Sequence, residues 1–517
     1  MDGDEYTSSD RTSRPIHWPR RDPLGSRAET TPETVALVET ETGSTWTCRE
    51  LSASVDAVAT ELTARIPESD SGAGGRRVGY LLEAGPEFVA TLYALWRLGW
   101  TAVGLHTGLA PGELEAHADA AELDAVVFES GTETLATTAD CPTVAAESIV
   151  ELDDIEMSQR TSSRAASVPE PATWNPDDTA LILFTSGTTD EPKGVRLTLG
   201  NLLASATASA FRLGVDPDDR WLCCLPVSHM GGLAPTVRTV LYGATLVVQR
   251  GFDASATARA LDTRQVTQVS LVPTQLKRLL DAGWTPDPSL RTVLLGGAPA
   301  TRSLLERADE AGVPVYPTYG MTEAASQIAT ARPAECQANP GTVGRPLVCT
   351  DVTIVDGDRL SDPGEHGEIV VDGPTITPGY LEPAQTRESF GEHGFHTGDV
   401  GYRDENGRLW VTGRLDEVLI TGGELVCPTD VADVLVTHEG VDDAAVVGLP
   451  DEEWGQRVAA VVVPNEETVN ESELKSYCRE RLSSFKVPKQ FGFTDEILRT
   501  ASGTVKRDAV RELFEGT

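Results

Sequence analysis

Leu183-Phe184-Thr185-Ser186-Gly187-Thr188-Thr189-Asp190-Glu191-Pro192-Lys193-Gly194-Val195 decides how the rest of this chain is read. The apolar run from Ala180 to Phe184 has the length and composition of a buried strand. It feeds a loop of hydroxyls and glycines that carries one lysine, and a second short strand follows. Hydroxyls and exposed backbone N–H groups in a tight turn can wrap a polyphosphate. Lys193, at the far end, adds a point charge for the outer phosphates. The spacing is not the P-loop's G-x-x-x-x-G-K-[ST], and no helix start follows Lys193 directly. A polar surface turn closed by Pro192 is the structural alternative.

Working outward, the chain alternates strand and helix from Val35 onward. Arg77 to Leu82 reads as a strand, Pro86 to Leu98 as a helix and Ala102 to Leu105 as a strand. Pro111 to Ala121 reads as a helix and Ala125 to Phe128 as a strand. This rhythm predicts parallel sheets covered by helices. Ser158 to Asn175, rich in Ser, Arg, Ala and Pro, reads as a flexible connector. Beyond it, Asn201 is placed as the N-cap of a helix from Leu202 to Leu213. Val269 to Val272 is a strand, and Pro273 opens the next helix. Thr292 to Leu295 is a strand ending in Gly296-Gly297-Ala298-Pro299, a junction at which a ligand can lie against backbone. After Thr342 come short strands with Gly and Asp turns, which mark a β-rich subdomain. A compact α+β segment of domain size follows Arg414. The expected fold class is therefore α/β plus α+β. Residues 1–25 are read as a loose acidic tail, 26–413 as a large domain with parallel sheets and a β-rich subdomain, and 414–517 as a small compact domain, which the resemblance given below implies is mobile.

Composition narrows the setting. The 517 residues include 80 Asp plus Glu against 42 Lys plus Arg, a formal net charge of −38. Such a surface repels nucleic acid and anionic membrane. Acidic, lysine-poor surfaces suit hydration in concentrated salt, where charge repulsion is screened within a few ångströms. A halophile's cytoplasmic protein is the expectation. Lysine occurs only at Lys193, Lys277, Lys475, Lys486, Lys489 and Lys506. The start, Met1 to Glu5, is polar and acidic, unlike a secretory signal. No apolar run reaches bilayer length, so membrane insertion is not expected. The eight cysteines are scattered without a C-x-x-C pair, which fits a reduced compartment.

Five further segments carry chemistry. In Tyr319-Gly320-Met321-Thr322-Glu323 an aromatic can stack on a purine, a hydroxyl can meet a phosphate and a carboxylate can hold Mg²⁺. In Phe395-His396-Thr397-Gly398-Asp399 the aspartate suits a two-point grip on ribose hydroxyls. The others are Gly413-Arg414-Leu415-Asp416-Glu417, then Leu225-Pro226-Val227-Ser228-His229-Met230-Gly231-Gly232, and finally Arg499 to Arg507. Singly, each has a plain structural alternative: a core tyrosine, a turn aspartate, a satisfied histidine.

Their order and spacing resemble the acyl-adenylate-forming superfamily of acyl-CoA synthetases, firefly luciferase and peptide-synthetase adenylation domains. The resemblance runs from about Thr45 to Arg507. It implies a phosphate loop at Thr185, Ser186, Gly187, Thr188, Thr189 and Lys193. Adenine would lie between Gly296, Gly297, Ala298 and the aromatic of Tyr319-Gly320. Thr322 would meet the α-phosphate, Glu323 would bind Mg²⁺, Asp399 would hold the ribose, and Arg414 would reach the nucleotide. Asp416 matches the hinge about which the small domain swings between half-reactions.

The implied activity joins an acid to the thiol of CoA through an acyl-AMP, with ATP and Mg²⁺. Both the acid and ATP are anions, so in-line attack needs cations and donors that absorb the transition-state charge. A closing domain keeps water from the reactive anhydride.

Two departures stand out. The family lysine near the C-terminus is Thr504 here. Lys506, two residues on and displaced by about 6.5 Å along extended chain, is nominated as its substitute, with a plain surface lysine as the alternative. The family histidine before the helix-capping Asn is Leu199.

Within the superfamily, Gly320 to Thr330, Val269 to Leu276 and Leu295 to Pro299 look like the o-succinylbenzoate–CoA ligases of menaquinone synthesis. His229, Ser326 and Gln327 would then stand at the acyl pocket, and polar Ser326 and Gln327 suit an acid with a second polar group. No carrier domain follows the last motif, which points to free CoA as the acceptor. An aromatic or medium-chain acyl-CoA ligase, and a non-catalytic nucleotide-binding relic, remain the alternatives. Expected partners are small molecules, with a homo-oligomer left open.

Overall fold

The computed structural model describes residues 20–67, 75–150, 168–185, 192–421, 424–426, 428–451, 454–465, 469–499 and 505–515. Four sheets organise them. One has nine strands, and its central run is parallel: Val315–Met321, Thr292–Leu295, Gln268–Leu271, Arg220–Cys223, Thr245–Val248 and Val35–Glu39. Ser326–Thr330 adds antiparallel beside Val315–Met321. A six-stranded sheet runs Thr143–Ala145, Ala125–Phe128, Arg77–Leu81, Thr101–Gly104, Thr179–Thr185 and Lys193–Thr198, parallel except for the last pair. The inner strands Thr101–Gly104, Ala125–Phe128, Thr245–Val248, Gln268–Leu271 and Thr292–Leu295 are buried throughout, as strands covered on both faces must be.

The third sheet, six strands between Asp351 and Arg414, is antiparallel throughout and is the β-rich subdomain. The fourth, five strands between Leu419 and Phe493, has its own apolar core around Val431, Val458, Ala460 and Leu474. A separate core is what makes it a separate small domain beside the large mixed α/β one.

Three expectations need correction. Residues 1–25 are not loose throughout: Pro23–Thr30 is a helix capped by Asp22, and Asp22 and Leu24 are buried. The cause is Arg97, a buried guanidinium that pairs with Asp22 and Asp56 and draws that segment into the core. The connector ending at Asn175 is anchored at its far end. Trp174 is buried, and its indole N–H donates to the Trp96 carbonyl at 2.7 Å. The helix placed from Leu202 begins at Leu199. Thr198 is its N-cap, and Asn201 is the third helical residue of a capping box: Thr198 Oγ1 accepts from the Asn201 N–H, and Asn201 Oδ1 accepts from the Thr198 N–H. Leu199 is thus inside the helix and buried.

Among the described residues no helix is long and apolar enough to cross a membrane, and seven cysteines are free.

Candidate active site

The site is assembled from strand ends. Thr179–Thr185 and Lys193–Thr198 pair antiparallel with Thr185 opposite Lys193, so the loop between them starts and finishes at one place. Ser186, Gly187, Thr188 and Thr189 lie outside the described residues. The lysine strand also receives the chain that follows Pro378. Val195 bridges Tyr380, and the Leu381 N–H donates to the Gly194 carbonyl at 2.8 Å. Beside them the Thr377 N–H donates to the Glu323 carbonyl at 2.7 Å, and the Tyr380 hydroxyl donates to Glu323 Oε1 at 2.9 Å.

Glu323 is only 6% exposed. Burial pushes its carboxyl above the usual carboxylate range. Its own backbone N–H, the Tyr380 hydroxyl and the Lys193 charge work against that rise, and Asp399 adds to it. A buried acid raised in this way, with Oε1 already occupied, has Oε2 left to meet a cation.

Thr322 and Glu323 sit on a single 3-10 turn, Thr322–Ala324, that closes the hairpin between Val315–Met321 and Ser326–Thr330. Ala325 (φ 50°) and Ser326 (φ 125°) lie in the left-handed region. A Cβ on Gly320 would stand 1.8 Å from the Ser326 carbonyl oxygen. Glycine at 320 is therefore required by the hairpin itself, whatever binds there. The glycine turn is one strand away, with Leu295 paired to Pro317. Gly297 has φ +80°, and a Cβ on Gly296 would meet Thr318 Cγ2 at 2.7 Å. Ala298 follows on the same turn. The glycine turn thus lies beside Thr318, the residue before Tyr319.

Asp399 and Arg414 face each other in register on adjacent strands of the third sheet. Arg414 Nη1 donates to Asp399 Oδ1 at 3.0 Å, and the Tyr319 hydroxyl donates to Oδ2 at 2.5 Å. Burial raises Asp399 above its ordinary range, and the Tyr319 and Arg414 donors oppose the rise. For Arg414 burial opposes the charge, but Asp399, with Asp416 and Tyr319, together outweigh it and lift the guanidinium. Asp416, on the 3-10 turn after Arg414, lies 3.5 Å from Arg414 Nε.

A second group of polar side chains gathers around the helix Met230–Tyr242. His229 is its N-cap, and its ring stands 5.5 Å from that of His106. Loss of hydration and the neighbouring imidazole hold His229 below the usual histidine range. Arg238, the one charge in that helix, is 1% exposed. Its Nη2 donates to Ser326 Oγ at 3.1 Å, its guanidinium lies over the Trp221 ring at 5.3 Å, and Nε has no partner. Among the described residues no carboxylate pairs with it, and burial lowers it. Gln327 is 2% exposed; its amide donates to Thr330 Oγ1 at 2.7 Å, and its Oε1 is unpartnered.

At the C-terminus Arg507 opens the helix Arg507–Glu515 and pairs with Glu417 at 2.6 Å, beside the Arg414–Asp416 turn. Lys506 is exposed and directly precedes that helix, with its N–H on the Leu498 carbonyl. Thr504 lies outside the described residues. Of the residues named from sequence, Tyr319, Asp399 and Arg414 meet through hydrogen bonds, and the Lys193 charge acts on Glu323. Sequence reasoning missed Tyr380, Arg238 and His106, and the pairing of Glu417. An aromatic after the Pro378-Gly379 turn, and a lone arginine in an apolar helix, were the available signals for the first two. Glu417 stands at the end of the quoted Gly413 to Glu417 segment, but nothing local marks its pairing with Arg507.

Residues 24–381 match the family described as "AMP-binding enzyme", and residues 430–504 match "AMP-binding enzyme C-terminal domain". The chain belongs to the AMP-binding enzymes. It is 36% identical over 487 residues to a 2-succinylbenzoate–CoA ligase of Bacillus pumilus, covering 94% of this chain and 96% of that one. The corresponding ligase of Bacillus cereus (strain ZK / E33L) is 39% identical over 444 residues, 85% of this chain and 89% of the other. Among solved structures, o-succinylbenzoate CoA synthetase from Bacillus subtilis in complex with the acyl-adenylate intermediate superposes with a TM-score of 0.84 at 35% identity. That match covers 95% of this chain and 98% of the other. This AMP-binding enzyme is an AMP-forming acid–thiol ligase of the acyl-CoA synthetase class.

Proposed function

We propose that the enzyme converts 2-succinylbenzoate, ATP and CoA to 2-succinylbenzoyl-CoA, AMP and diphosphate through an acyl-AMP, in the cytoplasm, as a step of menaquinone synthesis. Arg238 carries this reading. A buried guanidinium without a carboxylate partner is costly unless something anionic completes it. The acid in question has two carboxylates: one is activated, and the other is the anion that Arg238 lacks. Ser326, held by Arg238, and His229 at the start of the same helix are the further polar groups of that pocket, with Gln327 next in the strand. The B. pumilus and B. cereus relatives, named for this acid, support the same choice.

The nucleotide roles are those the family motifs imply, and the contacts described above support them. Lys193 and the loop from Thr185 take the outer phosphates, and Thr322 meets the α-phosphate. Glu323 would hold Mg²⁺ through the oxygen that Tyr380 leaves free, and the ion would supply charge neutralisation on the triphosphate. The adenine lies against Tyr319 beside Gly296, Gly297 and Ala298, over the backbone at Gly320. Asp399 takes the ribose, Arg414 reaches the nucleotide, and Asp416 is the hinge. The acid's carboxylate attacks the α-phosphorus, diphosphate leaves, and the CoA thiolate then displaces AMP from the acyl carbon. Lys506 is the cation nominated for the first step.

Thioester formation across a panel of 2-succinylbenzoate, benzoate, a coumarate and a medium-chain fatty acid, in molar KCl, tests the proposal. 2-Succinylbenzoate should give the highest kcat/KM. A plain benzoate or fatty acid ahead of it would reject the assignment.

A further inference from the structure

Tyr319 and Asp399 stand 80 positions apart and in different sheets, yet one hydrogen bond joins them, phenol O–H to Oδ2 at 2.5 Å. Arg414 occupies the other oxygen, Oδ1, at 3.0 Å, and the Asp399 N–H donates to Thr397 Oγ1 at 3.0 Å. An ionised carboxylate offers about four lone-pair sites. Among the described residues two are in use, one on each oxygen, which leaves each oxygen a further lone pair.

A carboxylate tied at one oxygen only would still turn about its terminal torsion, which is broad and nearly two-fold. The phenol removes that freedom by anchoring the second oxygen. The Thr397 hydroxyl is a second neighbour of the phenol, so the Tyr319 oxygen is held between Asp399 and Thr397.

We propose that the Tyr319 hydroxyl is a positioning group: it sets Asp399 for two-point contact with the ribose hydroxyls of ATP, so that base and sugar are recognised as one unit. The inference rests on the nucleotide-binding reading above. A prepositioned carboxylate gains both ribose hydrogen bonds without an ordering cost at binding.

The test is Tyr319→Phe, which keeps the ring and removes the donor. ATP–diphosphate exchange is measured with ATP, 2′-deoxy-ATP and 3′-deoxy-ATP, and the readout is the ratio of kcat/KM for ATP to that for each analogue. The ratio should fall about five-fold in the variant, the worth of one such hydrogen bond, with KM for ATP raised. In an Asp399→Asn background, adding Tyr319→Phe should change the ratio no further. An unchanged ratio in the single variant, accompanied only by a lower melting temperature, would make the hydroxyl a structural brace and overturn the inference. A higher ratio would mean that the phenol competes with the ribose, which also overturns it. Wild-type enzyme that exchanges with ATP and its deoxy analogues equally would remove the ribose contact and this inference with it. Absence of exchange with any acid would instead reject the function proposed above.

Discussion

Tyr380 and Glu323, 57 positions apart, share a hydrogen bond of 2.9 Å in which the phenol serves the buried carboxylate. Burial raises Glu323, and the phenol is one of the groups that hold the rise in check. Tyr380→Phe should therefore raise Glu323 further. The carboxylate form would then be lost at a higher pH on acidification, and the acid limb of ATP–diphosphate exchange should move up. Exchange at neutral pH should fall about ten-fold, as expected for a hydrogen bond to a charged group. An acid limb that stays in place while the melting temperature drops would reduce Tyr380 to a packing residue.

Arg238→Met keeps the volume of the helix and removes the buried charge. Replacing an unpaired buried ion by an apolar side chain is neutral or stabilising, so the melting temperature should hold or rise. Turnover of 2-succinylbenzoate should drop about thirty-fold or more in kcat/KM, the loss expected when one side of a buried charge contact is deleted, while turnover of benzoate changes little. Equal losses for both acids would show that Arg238 serves the fold rather than the second carboxylate.

Lys506→Ala separates two roles for that lysine. If Lys506 replaces the family lysine missing at Thr504, single-turnover formation of acyl-AMP should slow by about ten-fold or more, as expected when a cation is taken from developing charge. Transfer from preformed acyl-AMP to CoA should keep its rate. Equal effects on the two steps, or none, would leave Lys506 as a solvated surface residue.

Gly320→Ala places a methyl 1.8 Å from the Ser326 carbonyl oxygen, a backbone atom that cannot swing away. Overpacking of this kind costs about 1–3 kcal/mol or more, and the turn that carries Thr322 and Glu323 would shift. Loss of both stability and exchange is expected. Gly112→Ala is the control: nothing lies within 4 Å of its added Cβ, and the position is helical. It should be neutral or slightly stabilising, by up to about 1 kcal/mol. Matching melting temperatures for the two variants would contradict the close approach at Gly320.

A net charge of −38 makes salt a stabiliser. Raising KCl to about 1 M shortens the screening length to roughly 3 Å, which quiets repulsion among surface acids. The melting temperature should rise by at least about 5 °C between 0.1 and 2 M KCl, by the usual relation of stability to melting. A flat or falling curve would end the halophile reading.

Much of the site was legible because its chemistry is local. The Tyr319 to Glu323 segment and the strands around Lys193 carry their residue types within a few positions, where turn geometry and strand period control them. The helix beginning at Leu199 was misplaced by three residues because Thr198 and Asn201 are both good capping residues, and only their reciprocal hydrogen bonds show which one caps. The N-terminal segment looked loose because its polar composition hides one long-range ion pair, Asp22 with Arg97.

The alternation of strands and helices, the parallel sheets and the β-rich insertion were settled by the sequence alone, since apolar period and turn residues act over short stretches. Which side chains answer one another was decided only by tertiary structure. Tyr380 on Glu323, Tyr319 on Asp399, Arg238 on Ser326 and Arg507 on Glu417 each join segments 57 to 90 positions apart. Such partners are chosen by the packing of whole sheets, where burial raises the cost of every unpaired polar group, and no local pattern encodes that choice.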